Sequence, residues 1–251
     1  MATDSKEDIQ DSQYSFPYHN LVTYSDGQFS QSNVMRAGFV YLSYLRFVLD
    51  LLSTLEFGSL LDVGCGDGKF LYEASRRFPD KRLTGVEISS KAIAWARALN
   101  PDLDLFEEDI TQTAKLSQPF EAATLIEVLE HIPPDGTSLF LEAIARNLKD
   151  DGRLVITVPS KNSKLQAKHY QHFDQGSLER TISGSFRIME LHYINNVSIR
   201  KKIIKRLFSN PLFILNSRKM RNSLFHYYEK NLLHADARSG GRLVALCEVR
   251  R

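Results

Sequence analysis

The sequence has few of the residues that build disulfide-bonded or zinc-stabilised proteins. It contains two cysteines, Cys65 in a glycine-rich turn and Cys247 in a terminal apolar run. Two cysteines in such settings do not indicate a disulfide framework, so we predict a reducing, cytoplasmic location. The motif H-E-x-x-H and paired C-x-x-C motifs are both missing. A hydrolytic zinc site is therefore not indicated.

Long apolar runs are also missing. The best candidate for a membrane span is interrupted by Arg46 and Asp50, and a spanning helix needs about 18 or more apolar residues. The first residues, MATDSKEDIQDSQ, are polar and acidic and lack the apolar centre of a signal peptide. We therefore expect a soluble chain with no cleaved signal peptide and no transmembrane segment.

Net charge is small, at +2, but it is unevenly distributed. Residues 200–230 hold nine lysines or arginines and a single acid, Glu229, which leaves a charge of +8 there and −6 elsewhere. A block of positive charge usually forms a solvated surface or binds a partner of negative charge. We therefore expect the basic segment to do one of these two things.

Apolar strand patterns alternate with helical patterns along most of the chain. Strands are predicted at 59–64, 82–88, 103–109, 121–128, 153–159, 186–194 and 242–249, and helices at 33–55, 68–78, 90–99, 137–149 and 176–183. This alternation predicts an α/β fold, a doubly wound and mostly parallel sheet with helices on both faces. We expect an N-terminal arm at 1–32, one domain at 33–251, and a basic helical insertion at 195–241 within that domain.

The stretch LLDVGCGDGKF, residues 60–70, has the pattern of a ligand-binding turn. A buried strand ends near Asp62, glycines follow at 64, 66 and 68, and a helix starts at Lys69. Glycines let a ligand lie against the main chain, and the first turn of the helix offers unpaired N–H groups. The second strand ends in Glu87, the position that holds a ribose diol in doubly wound folds, and the third carries Asp109.

With these residues, the chain resembles the class I S-adenosylmethionine-dependent methyltransferases over about residues 38–194 and 242–249. The resemblance implies seven strands, the last antiparallel, with the insertion between strands six and seven. It also implies S-adenosylmethionine as the cofactor. The implied cofactor-binding residues are Asp62, Gly64 and Gly66 for the methionine end, Glu87 for the ribose, Asp109 and Ile110 for the adenine, and Gly68 and Glu127 beside them.

Three polar residues follow the fourth strand in the sequence IEVLEHIPP. Glu127, Glu130 and His131 are spaced i, i+3 and i+4, which places them on one face if the segment is helical. Three interpretations remain open. His131 is a general base, all three bind a divalent metal, or they are structural. The E-x-x-E-H pattern resembles ubiquinone-pathway O-methyltransferases and Hen-type small-RNA 2′-O-methyltransferases.

The loop after the fifth strand carries Lys168, His169 and His172. It resembles the K-H-x-x-H-F/Y loops of bacterial methyltransferases that act on small molecules and glycans. The F-E-W-T-R sequence of the Hen-type enzymes is missing, which weakens the RNA interpretation. We predict His131, His169 and His172 as catalytic residues and assign no metal ligand.

The basic insertion predicts an amphipathic helix at 197–208, with Ile203, Leu207 and Phe208 on its apolar half. Such a helix can lie on an anionic membrane, bind phosphates, or cover the core. We predict peripheral contact with an anionic membrane through 197–228, and nucleic acid is the less favoured partner.

The predicted function is O-methylation of a small molecule, a sugar or a lipid-linked intermediate. The rival enzyme is a metal-dependent RNA 2′-O-methyltransferase. A rival of another class is a non-catalytic S-adenosylmethionine-binding or scaffold protein, since fold does not fix function.

Overall fold

A computed structural model describes residues 23–25, 28–30, 38–112, 116, 118–208, 212–213, 215 and 217–250. Most of the predicted arm, 1–32, lies outside these residues, as does the predicted start of the first helix at 33. Within the arm, β1 (Thr23–Ser25) and β2 (Gln28–Ser30) pair as an antiparallel hairpin.

The remaining described elements alternate much as the sequence predicts. The helices are α1 (Gly38–Leu52), α2 (Lys69–Arg77), α3 (Ser90–Leu99), α4 (Thr137–Arg146), α5 (Gln175–Ile182), α6 (Ile199–Phe208) and α7 (Arg218–Leu232). The strands are β3 (Ser59–Val63), β4 (Arg82–Glu87), β5 (Asp104–Glu107), β6 (Phe120–Ile126), β7 (Leu148–Pro159), β8 (Phe186–Asn196), β9 (His234–Ala235) and β10 (Gly240–Val249).

Eight strands form the main sheet of the described residues, in the order β5-β4-β3-β6-β7-β10-β8-β9. The first five in this order are mutually parallel, and β10 is antiparallel to both β7 and β8. The predicted doubly wound, mostly parallel sheet with an antiparallel last strand is thus confirmed. The eighth strand, β9, was not predicted; it adds two residues to the edge of β8.

Helices cover both faces of the sheet, because successive residues of a buried strand point to opposite faces. Leu60 packs in a cluster with residues of α1, α2 and α3, whereas Leu61 packs in a second cluster with residues of α4 and α5. All five residues of β3 are buried. Cys65 lies in the first cluster and Cys247 in the second, and both are unpaired, buried thiols.

Helix α4 ends at Arg146, three residues before the predicted end. The reason is the side chain of Asn147, which donates to the Ala143 carbonyl and accepts from the Leu116 N–H. These bonds satisfy backbone groups at the end of the helix, and the chain enters β7 at Leu148.

The described residues of the connection between β8 and β10 form two helices, although only α6 was predicted. It spans 197–239, slightly less than the predicted 195–241. Both helices pack on the start of α1, in a cluster of Phe39, Ile204, Tyr228 and Leu232. The Tyr228 hydroxyl also donates to Oδ1 of Asn195 at 2.7 Å. The insertion therefore covers part of the core.

Candidate active site

A cavity of about 870 Å³ lies at the edge of the sheet where the parallel strands end. Open α/β sheets bind their ligands at this edge. Most of the predicted site residues line it, namely Asp62, Gly64, Gly66, Glu87, Asp109, Ile110, Glu127, His131 and His169. Two predicted site residues, Gly68 and His172, do not.

The turn after β3 depends on glycine at two positions. Gly64 has a φ of 71°, and a Cβ there would lie 2.5 Å from a methyl group of Val128. Gly68 has a φ of 75°, and a Cβ would lie 2.6 Å from the Asn100 amide. Gly68 is thus required for packing of α2 against α3, and its role in cofactor binding stays a prediction.

The acidic residues stand at the ends of three neighbouring strands. The Glu87 carboxylate accepts hydrogen bonds from the N–H groups of Gly66 at 3.0 Å and Ser89 at 2.9 Å, which hold it beside the glycine turn. Asp109 follows β5 and accepts from the N–H and hydroxyl of Thr111.

Asp62 is the most buried of these acids. It accepts a hydrogen bond of 2.6 Å from the Thr124 hydroxyl. Burial raises its pKa to about 7, with a smaller contribution from the charge of Glu87 and against the Thr124 hydrogen bond. The carboxylates of Asp62, Glu87 and Asp109 lie beside a glycine turn that admits no side chain at Gly64. Their chemistry fits the amino, hydroxyl and adenine groups of S-adenosylmethionine.

Glu127 does not share a helical face with Glu130 and His131, which corrects the prediction. Its φ is 57°, and the helical turn is a short 3₁₀ helix, Leu129–His131, that excludes it. Its carboxylate forms a two-point ion pair with Arg242, one bond being 2.7 Å from Nε to Oε1. Burial opposes ionisation of Glu127, but the Arg242 guanidinium outweighs it and holds the pKa of the carboxyl below its usual value.

Arg242 contacts Glu127 and was not predicted as a residue of the site. It stands in β10, 115 positions from Glu127 in the chain, and its guanidinium lies 3.9 Å from the centre of the Tyr44 ring. No local pattern marks this contact. Both oxygens of the Glu127 carboxylate bind Arg242, and this ion pair holds the end of β6. The carboxylate is therefore a poor candidate for a metal ligand.

Glu130, His131 and His169 do come together. One potential ligand atom from each lies within 4.8 Å of the other two. Glu130 is fully buried, and neither of its carboxylate oxygens has a hydrogen-bond partner among the described residues. Burial, together with the charge of Glu127, raises the pKa of Glu130 well above its usual value. This set of groups suits a divalent cation or proton transfer.

The two histidines of the loop after β7 have different positions. His169 lines the cavity, and burial, together with the neighbouring His131 and Lys168, lowers its pKa to about 3. His172 is buried outside the cavity, with its Nε2 2.8 Å from Nδ1 of His169. His172, predicted as catalytic, thus contacts His169 and does not line the cavity.

Other residues of the cavity wall were not predicted as site residues, because apolar and aromatic side chains usually indicate packing in the core. Tyr41 and Tyr44 of α1 line the cavity, although the helical spacing of this segment predicted a cover for the sheet. Ile88 follows Glu87 and is 69% exposed in the cavity wall. Its position directly after Glu87, the predicted ribose-binding acid, was the one available signal that it could flank a bound ring.

A family model for a methyltransferase domain, Methyltransf_23, matches residues 6–196. The chain therefore belongs to this family, the class I S-adenosylmethionine-dependent methyltransferases with a Rossmann-like fold. The predicted family and its cofactor, S-adenosylmethionine, are confirmed.

Curated relatives match part of the chain. The ubiquinone biosynthesis O-methyltransferase of Alkalilimnicola ehrlichii is 33% identical over 125 residues, which are 48% of this chain and 49% of that protein. The trans-aconitate 2-methyltransferase of Escherichia coli K12 is 33% identical over 100 residues, 39% of this chain and 38% of that protein. The chain spans about half the length of the first of these relatives and less of the second.

Solved structures match over a larger share of the chain but at low identity. The N-methyltransferase NodS from Bradyrhizobium japonicum WM9 has a TM-score of 0.63 at 13% identity, covering 99% of this chain and 100% of that one. The methyltransferase domain of bacterial CtHen1 has a TM-score of 0.59 at 14% identity, covering 84% and 100%. These likenesses show the fold. Among the helices of the described residues, none combines the length and apolar character that crossing a membrane requires.

Proposed function

We propose that this protein is a methyltransferase that transfers the methyl group of S-adenosylmethionine to an oxygen of a small molecule. The observation that carries the proposal is a single cavity that joins the glycine turn and its acids to the Glu130, His131 and His169 group. The O-methyltransferase and trans-aconitate methyltransferase names of the relatives support a small acceptor.

When bound, the cofactor supplies a methyl group on a sulfonium, which an acceptor oxygen takes by in-line displacement. The chain's contribution is to align the acceptor and to accept its proton. Among the described residues, His131 is the base we favour. Burial, with the neighbouring His131 and Lys168, lowers the pKa of His169 to about 3, which makes this ring a poor proton acceptor.

The first experiment is calorimetric titration with S-adenosylmethionine. Replacing Glu87 by alanine should weaken binding by about 1.5–3 kcal/mol, the range for hydrogen bonds to a charged group. The matched control is Glu107→Ala, since Glu107 is exposed and lies outside the cavity wall. Equal affinity in the parent and the Glu87 variant would contradict the assigned cofactor position.

A divalent metal is the alternative to a general base, and its ligands would be Glu130, His131 and His169. A cation there would polarise the acceptor oxygen. If this interpretation holds, a chelator should abolish methyl transfer, and added Mg²⁺ or Mn²⁺ should restore it. Full activity in chelator would exclude the metal and leave the general-base and structural interpretations of these residues.

Formation of S-adenosylhomocysteine with a panel of acceptors tests the substrate class. Phenols and carboxylic acids should support turnover, and a short RNA should not. Turnover with RNA alone would favour the 2′-O-methyltransferase. Tight cofactor binding without turnover on any member of the panel would favour the non-catalytic alternative.

The partner we propose is the surface of an anionic membrane, reached through α6. The predicted apolar face needs correction, because Phe208 stacks on Phe39 with 5.2 Å between ring centres and Ile204 is buried. Two other isoleucines are exposed, Ile199 at 68% and Ile203 at 54%.

Helical geometry places these isoleucines opposite the packed side of α6. At about 100° per residue, Ile199 and Ile203 share a face with Lys202 and Arg206, both of which are exposed. Apolar groups flanked by cations suit the boundary of an anionic lipid surface. The same insertion packs on α1, whose Tyr41 and Tyr44 line the cavity. The closeness of the insertion to the cavity supports a lipid-linked acceptor.

The two unpaired cysteines support the predicted cytoplasmic location.

A further inference from the structure

Two hydrogen bonds connect the cavity wall to a backbone carbonyl through the loop histidines. Nδ1 of His172 lies 3.0 Å from the carbonyl oxygen of Ser163, and Nε2 of His172 lies 2.8 Å from Nδ1 of His169. A carbonyl oxygen can only accept a hydrogen bond, so Nδ1 of His172 must carry a hydrogen. In the neutral ring, Nε2 of His172 then holds the lone pair and accepts.

The same reasoning extends one step to His169. Because Nε2 of His172 accepts, Nδ1 of His169 must donate, and Nε2 of His169 is left with the lone pair. His131 is held in the same way, since its Nδ1 lies 3.0 Å from the carbonyl oxygen of Lys168. Both cavity-lining histidines therefore use Nδ1 for support and keep a lone pair on Nε2.

We propose that His172 is a positioning residue that fixes His169 in the Nδ1–H tautomer and so leaves the lone pair of that ring on Nε2. The His169 ring is part of the group with Glu130 and His131. Metal ligation by His169 needs that lone pair, because a histidine binds a metal through an unprotonated ring nitrogen. The benefit for the reaction rests on the proposed function, whereas the tautomer itself does not.

The tautomer is measured directly by long-range ¹H–¹⁵N spectra of protein labelled with ¹⁵N-histidine at neutral pH. His169, identified by the signals lost in His169→Gln, should show a protonated Nδ1 and an unprotonated Nε2. An Nε2–H tautomer of His169 in the parent protein would overturn the proposal, whether or not methyl transfer is found. The correct tautomer without turnover would instead count against the proposed function alone.

Two substitutions test whether His172 is the cause. His172→Gln keeps a carbonyl oxygen near the position of Nε2 and should retain the Nδ1–H tautomer of His169. His172→Leu removes the acceptor, and His169 should change to a predominantly Nε2–H form. Retention of Nδ1–H in a folded leucine variant would overturn the role of His172. If the leucine variant does not fold, the spectra of the parent and the glutamine variant decide.

Discussion

Asp62 shows how one buried side chain makes the stability of this site depend on pH. Its folded-state pKa of about 7 exceeds the ordinary aspartate value of about 3.9. The folded state therefore binds the proton more tightly than the unfolded chain does. The resulting contribution to stability is fully present below about pH 4 and is lost as the pH rises through 7.

We expect the free energy of unfolding of the parent, relative to Asp62→Asn, to fall by about 1.4 kcal/mol between pH 6 and pH 8. The asparagine oxygen can still accept from Thr124, which preserves the hydrogen bond. Urea unfolding without cofactor measures the difference. Asp102→Asn, at an exposed position, serves as the control and should follow the parent. The same pH dependence in the parent and the Asp62 variant would contradict the burial effect.

Local patterns predicted the residues around the glycine turn, since strand, turn and helix follow one another within a few positions. Contacts between distant segments were not predictable in this way. The Glu127–Arg242 ion pair joins β6 to β10, and it accompanies the left-handed backbone at Glu127 that breaks the expected helical face. The spacing of Glu130 and His131 predicted their proximity, but the position of His172 behind His169 required the folded loop.

At the scale of elements, α6 has two faces with different roles. Phe208 packs on Phe39, whereas Ile203 is exposed. Phe208→Ser should lower the free energy of unfolding by about 1–3 kcal/mol, less than for a fully buried phenylalanine because Phe208 is half-buried. Ile203→Ser should change it by less than about 0.5 kcal/mol. Thermal unfolding distinguishes them, and equal melting temperatures for both variants would contradict this assignment of faces.

At the scale of the whole molecule, the role of the basic insertion decides whether the protein works at a membrane surface or in bulk solution. We expect the protein to sediment with vesicles that contain anionic lipid, and less so at high salt, because each cation near the surface contributes about 1 kcal/mol of screened attraction. The pair Ile199→Ser and Ile203→Ser should weaken sedimentation without unfolding the protein.

The control for this experiment is Leu99→Ser, because Leu99 is an exposed apolar residue at the end of α3, outside the insertion. It should leave sedimentation unchanged. If vesicles do not retain the parent at low salt, the exposed isoleucines do not serve membrane contact, and capture of the parent by polynucleotide would favour a nucleic-acid partner.

The burial of both cysteines has a practical consequence for studying this surface. Burial raises the pKa of the Cys247 thiol to about 12, and it also raises the pKa of Cys65. Thiol-directed dyes react through the thiolate, so neither native cysteine should label readily at neutral pH. A cysteine introduced at the exposed position 203 would then be the site that accepts a fluorophore. An environment-sensitive dye attached there would report contact with lipid while the native cysteines stay in place.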